Sequence, residues 1–131
     1  MKKDILLKSS LYKQISRFSV AGLSAVAVDL LSYYLLINYL SYDISKTLSF
    51  VIGAVVAYVI NKFWTFEQNN LSFKELVKFA LLYTFSLIIN VYMNKLFLDI
   101  TNNTIIIAFF VATGSSALIN FIGQKWWVFK K

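Results

Sequence analysis

The chain has 131 residues, enough for one domain; 59% are hydrophobic, 18% aromatic and only 15% charged, with mean hydropathy +0.67. A soluble domain carries roughly 25% charged residues, and one this small has too little interior to hide so much apolar surface, so the composition excludes an ordinary soluble globule and points to a membrane protein. With no Cys and no His, thiol catalysis, Cys/His zinc centres, haem ligation and disulfides are excluded, and the net charge of +7 is read against lipid headgroups rather than nucleic acid.

Residues 1–16 interleave Lys2, Lys3, Lys8 and Lys13 with Ile5, Leu6, Leu7, Leu11, Tyr12 and Ile15. That pattern suits a basic amphipathic helix on the cytoplasmic leaflet, the alternative being a frayed charged tail. The remainder, 17–131, reads as one transmembrane domain. Its apolar runs cover about residues 18–40, 47–66, 76–98 and 104–124. Each is long enough to cross a hydrocarbon core of about 30 Å as a helix rising 1.5 Å per residue. The first is too long for the apolar part of a cleavable signal. Proline is absent, so the usual cause of a kink is missing. Ser72-Phe-Lys-Glu75 fits a capping box opening the third helix. Of the thirteen Lys and Arg residues, eleven fall in residues 1–17, 61–78 and the C-terminal end, and two, Lys46 and Lys95, on the other side. The positive-inside rule then places both termini and the middle loop in the cytoplasm. The predicted fold is all-α: a polytopic membrane protein of four transmembrane helices with no room for a soluble domain.

The two halves of the chain match. Arg17-Phe18 corresponds to Lys78-Phe79, and Asp29 to Asn90. Asn61-Lys62-Phe63-Trp64-Thr65-Phe66 corresponds to Gln124-Lys125-Trp126-Trp127-Val128-Phe129, with the second outer hairpin two residues longer. Each half has two spans, so the repeat is parallel, of the kind related about the membrane normal. Ser49, Gly53, Ala57 and Asn61 recur at i+4 on the second span, and Ala112, Ser116, Asn120 and Gln124 on the fourth. Small residues so spaced let helices approach closely, while the amides need polar partners or a lined path. Gly22, Ala25, Asp29 and Tyr33 share a face of the first span; Tyr83, Ser86, Asn90 and Asn94 share one on the third. Asp29, the one acid inside a span, lies about 18 Å beyond Arg17 along a helix. An ionisable residue at that depth is either functional or a buried acid bonded to Tyr33 or a neighbouring helix.

These residues together resemble the GtrA-like family of small four-span membrane proteins. The marks are Arg17-Phe18…Gly22…Asp29, then Asn61-Lys62-Phe63-Trp64-Thr65-Phe66, then Asn120-Phe121…Lys125-Trp126-Trp127-Val128-Phe129, across nearly the whole chain. The family often has Asn-Arg before the aromatics; here Lys62 and Lys125 stand for Arg, and Gln124 for the second Asn. Charge survives but the bidentate guanidinium grip does not. The resemblance implies a multi-pass protein of a bacterial cytoplasmic membrane that flips a polyprenyl-phosphate-linked monosaccharide to the outer leaflet. The sugar would modify a surface polymer such as teichoic acid or O-antigen, in functional connection with membrane glycosyltransferases.

Such work is binding, not bond making, and no carboxylate pair or nucleophile–base set is visible. It needs no cofactor or metal and no nucleic acid. No P-loop is present. Arg17, Lys62, Lys78 and Lys125 are candidates to ring the cytoplasmic mouth and meet the phosphate, with lysines as point charges; as topology anchors against anionic lipid they would look the same. Asp29, Asn61, Asn90, Asn120 and Gln124 are candidates for sugar hydroxyls along the path, with Asp29 also the candidate for proton coupling. Trp64, Phe66, Trp126, Trp127 and Phe129 sit where an aromatic belt belongs. The small-residue stripes predict a homo-oligomer, a dimer. Rival readings are a small multidrug-resistance transporter, a non-transporting scaffold subunit of a membrane glycosyltransferase, and a holin-like pore. Reporter fusions at the C-terminus and within Ser41–Lys46 are expected to report opposite sides of the membrane, the C-terminus inside; equal signals would refute the charge-based orientation.

Overall fold

Apolar runs without proline can satisfy their backbone in hydrocarbon as helices, and a computed structural model, which describes residues 1–70 and 72–130, shows four: α1 (Lys2–Leu36), α2 (Tyr42–Ile60), α3 (Phe73–Ile100) and α4 (Ile105–Gly123). All are long and apolar enough to span a membrane. Lys131, one of the basic C-terminal residues, lies outside the described part. Helix α1 is continuous over 35 residues, about 52 Å at 1.5 Å per residue. It is longer than the hydrocarbon is thick, and it runs through Arg17 without the break that would turn residues 1–16 into the plane of the leaflet.

Local chemistry sets the ends. Ser41 Oγ accepts from Ile44 N–H at the start of α2, and Ser72 Oγ from Glu75 N–H at the start of α3. The capping box at Ser72 is only half made: the Glu75 carboxylate turns instead to the Lys62 ammonium, a stronger partner than a neutral amide. The turn between α3 and α4 uses Asn102 and Asn103 at φ 51° and 65°, a region Asn tolerates well.

Helices α2 and α4 each end in the same way. Residues Asn61–Thr65 and Gln124–Val128 widen into π-helical segments, closed by bonds from Phe66 N–H to Asn61 O (2.9 Å) and from Phe129 N–H to Gln124 O (2.8 Å). The duplication is thus a structural one. Helices α1 and α2 form one hairpin and α3 and α4 the other, with α2 against α3 and α1 against α4 closing the ring. Repeat-equivalent residues meet along the central axis. Phe66 stacks on Phe129 with centroids 5.2 Å apart, Asn94 Nδ2 donates to the Tyr33 hydroxyl at 3.1 Å, and Lys46 Nζ lies 4.3 Å from the Phe109 ring centroid. Phe66 and Phe129 are therefore core residues and not part of an aromatic belt; Trp64, Trp126 and Trp127 are exposed, as a belt requires.

The bundle is apolar outside, and its interior mixes apolar with polar side chains. Leu23, Leu31, Val55, Phe85, Ile88, Phe110 and Leu118 face outward, while Asp29, Lys46, Asn61, Lys62, Asn90, Asn94, Asn120 and Gln124 are buried. Close approach within the first hairpin rests on Gly53: a Cβ there would stand 3.0 Å from the Ala25 carbonyl oxygen and 3.1 Å from Asp29 Cβ. Gly22, by contrast, has nothing within 4 Å. Gly53→Ala is expected to destabilise the detergent-solubilised protein by about 1–3 kcal/mol through overpacking, read as a lowered Tm, while Gly22→Ala leaves Tm equal or higher.

Candidate functional site

The end of the bundle that gathers α1's entry, the middle loop and the C-terminus carries the basic residues, and their partners divide by half. Arg17 donates to the Trp64 carbonyl (2.7 Å) and to Glu67 Oε1 (2.6 Å), with Lys13 also on Glu67 at 2.7 Å. These contacts hold Glu67, at φ 52°, in a left-handed conformation that a non-glycine residue rarely adopts. Hydrogen bonds from Lys13 and then Arg17 hold its carboxyl below the ordinary value. A depressed folded pKa means that this contribution is full above the unfolded pKa of about 4.3 and is lost as pH falls through the folded one. Lys62, fully buried, donates to the Asn70 carbonyl at 3.0 Å and pairs with Glu75. Both cations of the first half are thus matched by carboxylates.

In the second half the equivalent cations meet neutral acceptors. Lys78 Nζ donates to the Trp127 carbonyl at 3.3 Å, repeating the Arg17–Trp64 contact, and lies 6.0 Å from the Trp127 ring centroid. Lys125 Nζ donates to Gln14 Oε1 at 2.6 Å, beside a recess of about 220 Å³ lined by Gln14, Phe66, Lys125, Trp126, Phe129 and Lys130. Among the described residues neither Lys78 nor Lys125 has a carboxylate partner.

Deeper in, helices α1, α2 and α4 enclose a cavity of about 70 Å³ whose polar lining includes Asp29, Asn61, Thr113, Ser116 and Asn120. It is small beside the ~300–1,000 Å³ of ordinary ligand sites but has room for a few waters or hydroxyls. Gly22 occupies in the first half the place of Tyr83 in the second, and the Tyr83 ring, packed against Phe50 and Phe79, itself stands on the cavity wall. The seam between α1 and α4 is closed by aromatic contact at each end, Phe18 on Phe121 (4.9 Å) and Tyr33 on Phe109 (6.0 Å). Between them lie Gly22, Val26 and Ala117.

Asp29 is not solitary. Its Oδ2 accepts a hydrogen bond from Lys46 Nζ at 2.7 Å, both groups buried, and its Oδ1 is unpartnered. Removing one member of such a pair costs about 3–5 kcal/mol because the other is left as a buried charge. Asp29→Asn alone therefore threatens the fold as well as any activity, and Lys46, read from the sequence as part of the outer hairpin, belongs to the core. The connection between the helices is residues 37–41, and the packing of α1 on α2 brings the two side chains to one level.

The sequence candidates thus separate. Asp29, Asn61 and Asn120 come together on the cavity. Asn90 and Gln124 do not: Asn90 donates to Ser116 Oγ (2.9 Å) and Gln124 to the Tyr83 hydroxyl (3.1 Å), holding α3 to α4. Arg17 and Lys62 are engaged in ion pairs, Lys78 and Lys125 are not. The parts that Gln14, Thr113, Glu67, Glu75 and Tyr83 play depend on which helix each faces, which spacing along the chain does not give.

Residues 17–129 match the family described as GtrA/DPMS, transmembrane domain. The chain is 24% identical over 120 residues to the uncharacterized membrane protein YwcD of Bacillus subtilis (strain 168), covering 87% of this chain and 94% of that one. It is 29% identical over 119 residues to the uncharacterized membrane protein YngA of the same strain, covering 89% and 80%. No solved structure matches. Lys62→Ala is expected to lower membrane abundance by stranding the Glu75 carboxylate, with Lys62→Ala/Glu75→Gln recovering most of it. Lys125→Ala is expected to leave abundance unchanged. Immunoblots of membrane fractions check both.

Proposed function

The chain belongs to the GtrA/DPMS transmembrane-domain family, and we propose that it carries a polyprenyl-phosphate-linked monosaccharide from the inner to the outer leaflet of a bacterial cytoplasmic membrane for glycosylation of a surface polysaccharide such as teichoic acid or O-antigen. The observation that carries this reading is a cavity with Asp29, Asn61, Thr113, Ser116 and Asn120 on its wall inside a bundle that is apolar outside, adjoining a basic end where Lys78 and Lys125 lack carboxylate partners among the described residues.

The chemistry divides accordingly. The anionic phosphate meets Lys125 and Lys78 as point charges, and the hydroxyls of the sugar exchange water for Asp29, Asn61 and Asn120. The hydrocarbon chain stays in the bilayer, whose cost for a polar head is what the protein offsets. Arg17 and Lys62 shape the mouth through Glu67 and Glu75 rather than waiting for ligand. No bond is made or broken, and the protein acts as a carrier rather than an enzyme, in a self-associated form favoured by the small-residue stripes. A cation-drug exporter is disfavoured, since the acid it would use is already matched by Lys46. Lys125→Ala and Lys78→Ala are each expected to lower surface glycosylation at least about tenfold at equal membrane abundance, given the ~1.5–3 kcal/mol of a hydrogen bond to a charged group. Unchanged glycosylation in both would sink the phosphate role.

A further inference from the structure

Three buried oxygens without partners line the cavity: Asp29 Oδ1, Thr113 Oγ1 and Asn120 Oδ1. The first and last can only accept, and a threonine hydroxyl can do either. A buried acceptor left unmatched is costly, so the cavity is built to receive donors. Two classes supply them at this size, hydroxyls and metal or ammonium cations, and charge balance separates the two. Asp29 is the one carboxylic acid on the lining, and its charge is already cancelled by Lys46 at 2.7 Å. Lys46 is itself enclosed by the rings of Tyr33, Phe50 and Phe109 and is not free to leave. A cation entering would make the interior net positive and a carboxylate net negative, and both are penalised where water is excluded.

We propose that the cavity is a recognition site for the uncharged, polyhydroxylated sugar of a lipid-linked saccharide, in which Thr113 joins Asp29 and Asn120 as hydroxyl acceptors and the Asp29–Lys46 pair excludes charged sugars. This deepens, and rests on, the proposed carriage of lipid-linked sugars. The counterpart recess between α2 and α3 is apolar, walled by Phe50, Tyr58, Phe79, Tyr83 and Leu87, and Asn90, the counterpart of Asp29, is tied to Ser116. The open side of the cavity is the α1–α4 seam, where Gly22, Val26 and Ala117 separate the Phe18–Phe121 and Tyr33–Phe109 contacts. A headgroup enters there from the bilayer as the seam parts.

The test uses the full chain in liposomes and three polyprenyl-phosphate probes carrying glucose, glucosamine with a free amine, and glucuronic acid. Leaflet accessibility gives the rate for each. Glucose is expected to cross at least tenfold faster than either charged sugar. Thr113→Val is expected to slow glucose at equal reconstituted amount. Lys46→Met, leaving Asp29 unmatched, is expected to shift preference toward the free amine, and Asp29→Asn/Lys46→Met to return it toward glucose. Equal rates for the three probes in the unaltered protein would overturn the charge selection while leaving sugar carriage standing. Crossing by none of them would overturn both. If Lys46→Met does not accumulate, the probe comparison together with Thr113→Val decides, and an unaltered glucose rate in Thr113→Val removes the hydroxyl site.

Discussion

A carboxylate and an ammonium 2.7 Å apart in the interior of a membrane bundle constrain everything around them. Neither charge is tolerable alone in that medium, so helices α1 and α2 must hold the depth at which Asp29 and Lys46 meet. Closeness is possible because Gly53 leaves no side chain between the helices. The register of the first hairpin and the neutrality of the cavity both follow. Across the axis the Phe109 ring, repeat-equivalent to Lys46, faces the ammonium at 4.3 Å, so the same pair also ties the first hairpin to the second.

The duplicated halves keep their scaffolding alike and differ where a ligand would be met. The π-helical ends of α2 and α4, the cation-to-tryptophan-carbonyl contacts of Arg17 and Lys78, and the axial pairs are shared. Widening of this kind is frequent at functional sites, and here it turns Asn61 and Gln124 inward at the basic end. The differences are Gly22 against Tyr83, Asp29 against Asn90, and carboxylate-matched Lys62 against amide-bonded Lys125. The cavity is walled from both halves, by Asp29 and Asn61 of the first and Thr113, Ser116 and Asn120 of the second, and among the described residues Lys78 and Lys125 of the second half lack carboxylate partners.

Buried polar residues in this protein do two kinds of work. Asn90, Asn94, Ser116 and Gln124 bond across helices, the glue role open to amides and hydroxyls in hydrocarbon. Asn120, Thr113 and Asp29 present oxygens to open space instead. Position along the chain does not distinguish these sets, since Asn120 and Gln124 share one stripe of one helix.

Hydropathy, charge placement and helical spacing are properties of the chain alone, and they determined the four spans, the clustering of basic segments at one end, the parallel duplication and the polar stripes, including Asp29, Asn61 and Asn120 on a lined path. The tertiary structure alone decided who faces whom. Lys46, read as an outer-hairpin residue, became the counter-ion of Asp29; Glu75 left its capping box for Lys62; Phe66 and Phe129 left the belt for the axis; and Asn90 and Gln124 became interhelical struts. Each of these outcomes depends on the rotation and register of one helix against another, which the long-range competition among charges, amides and rings sets only once all four helices are packed.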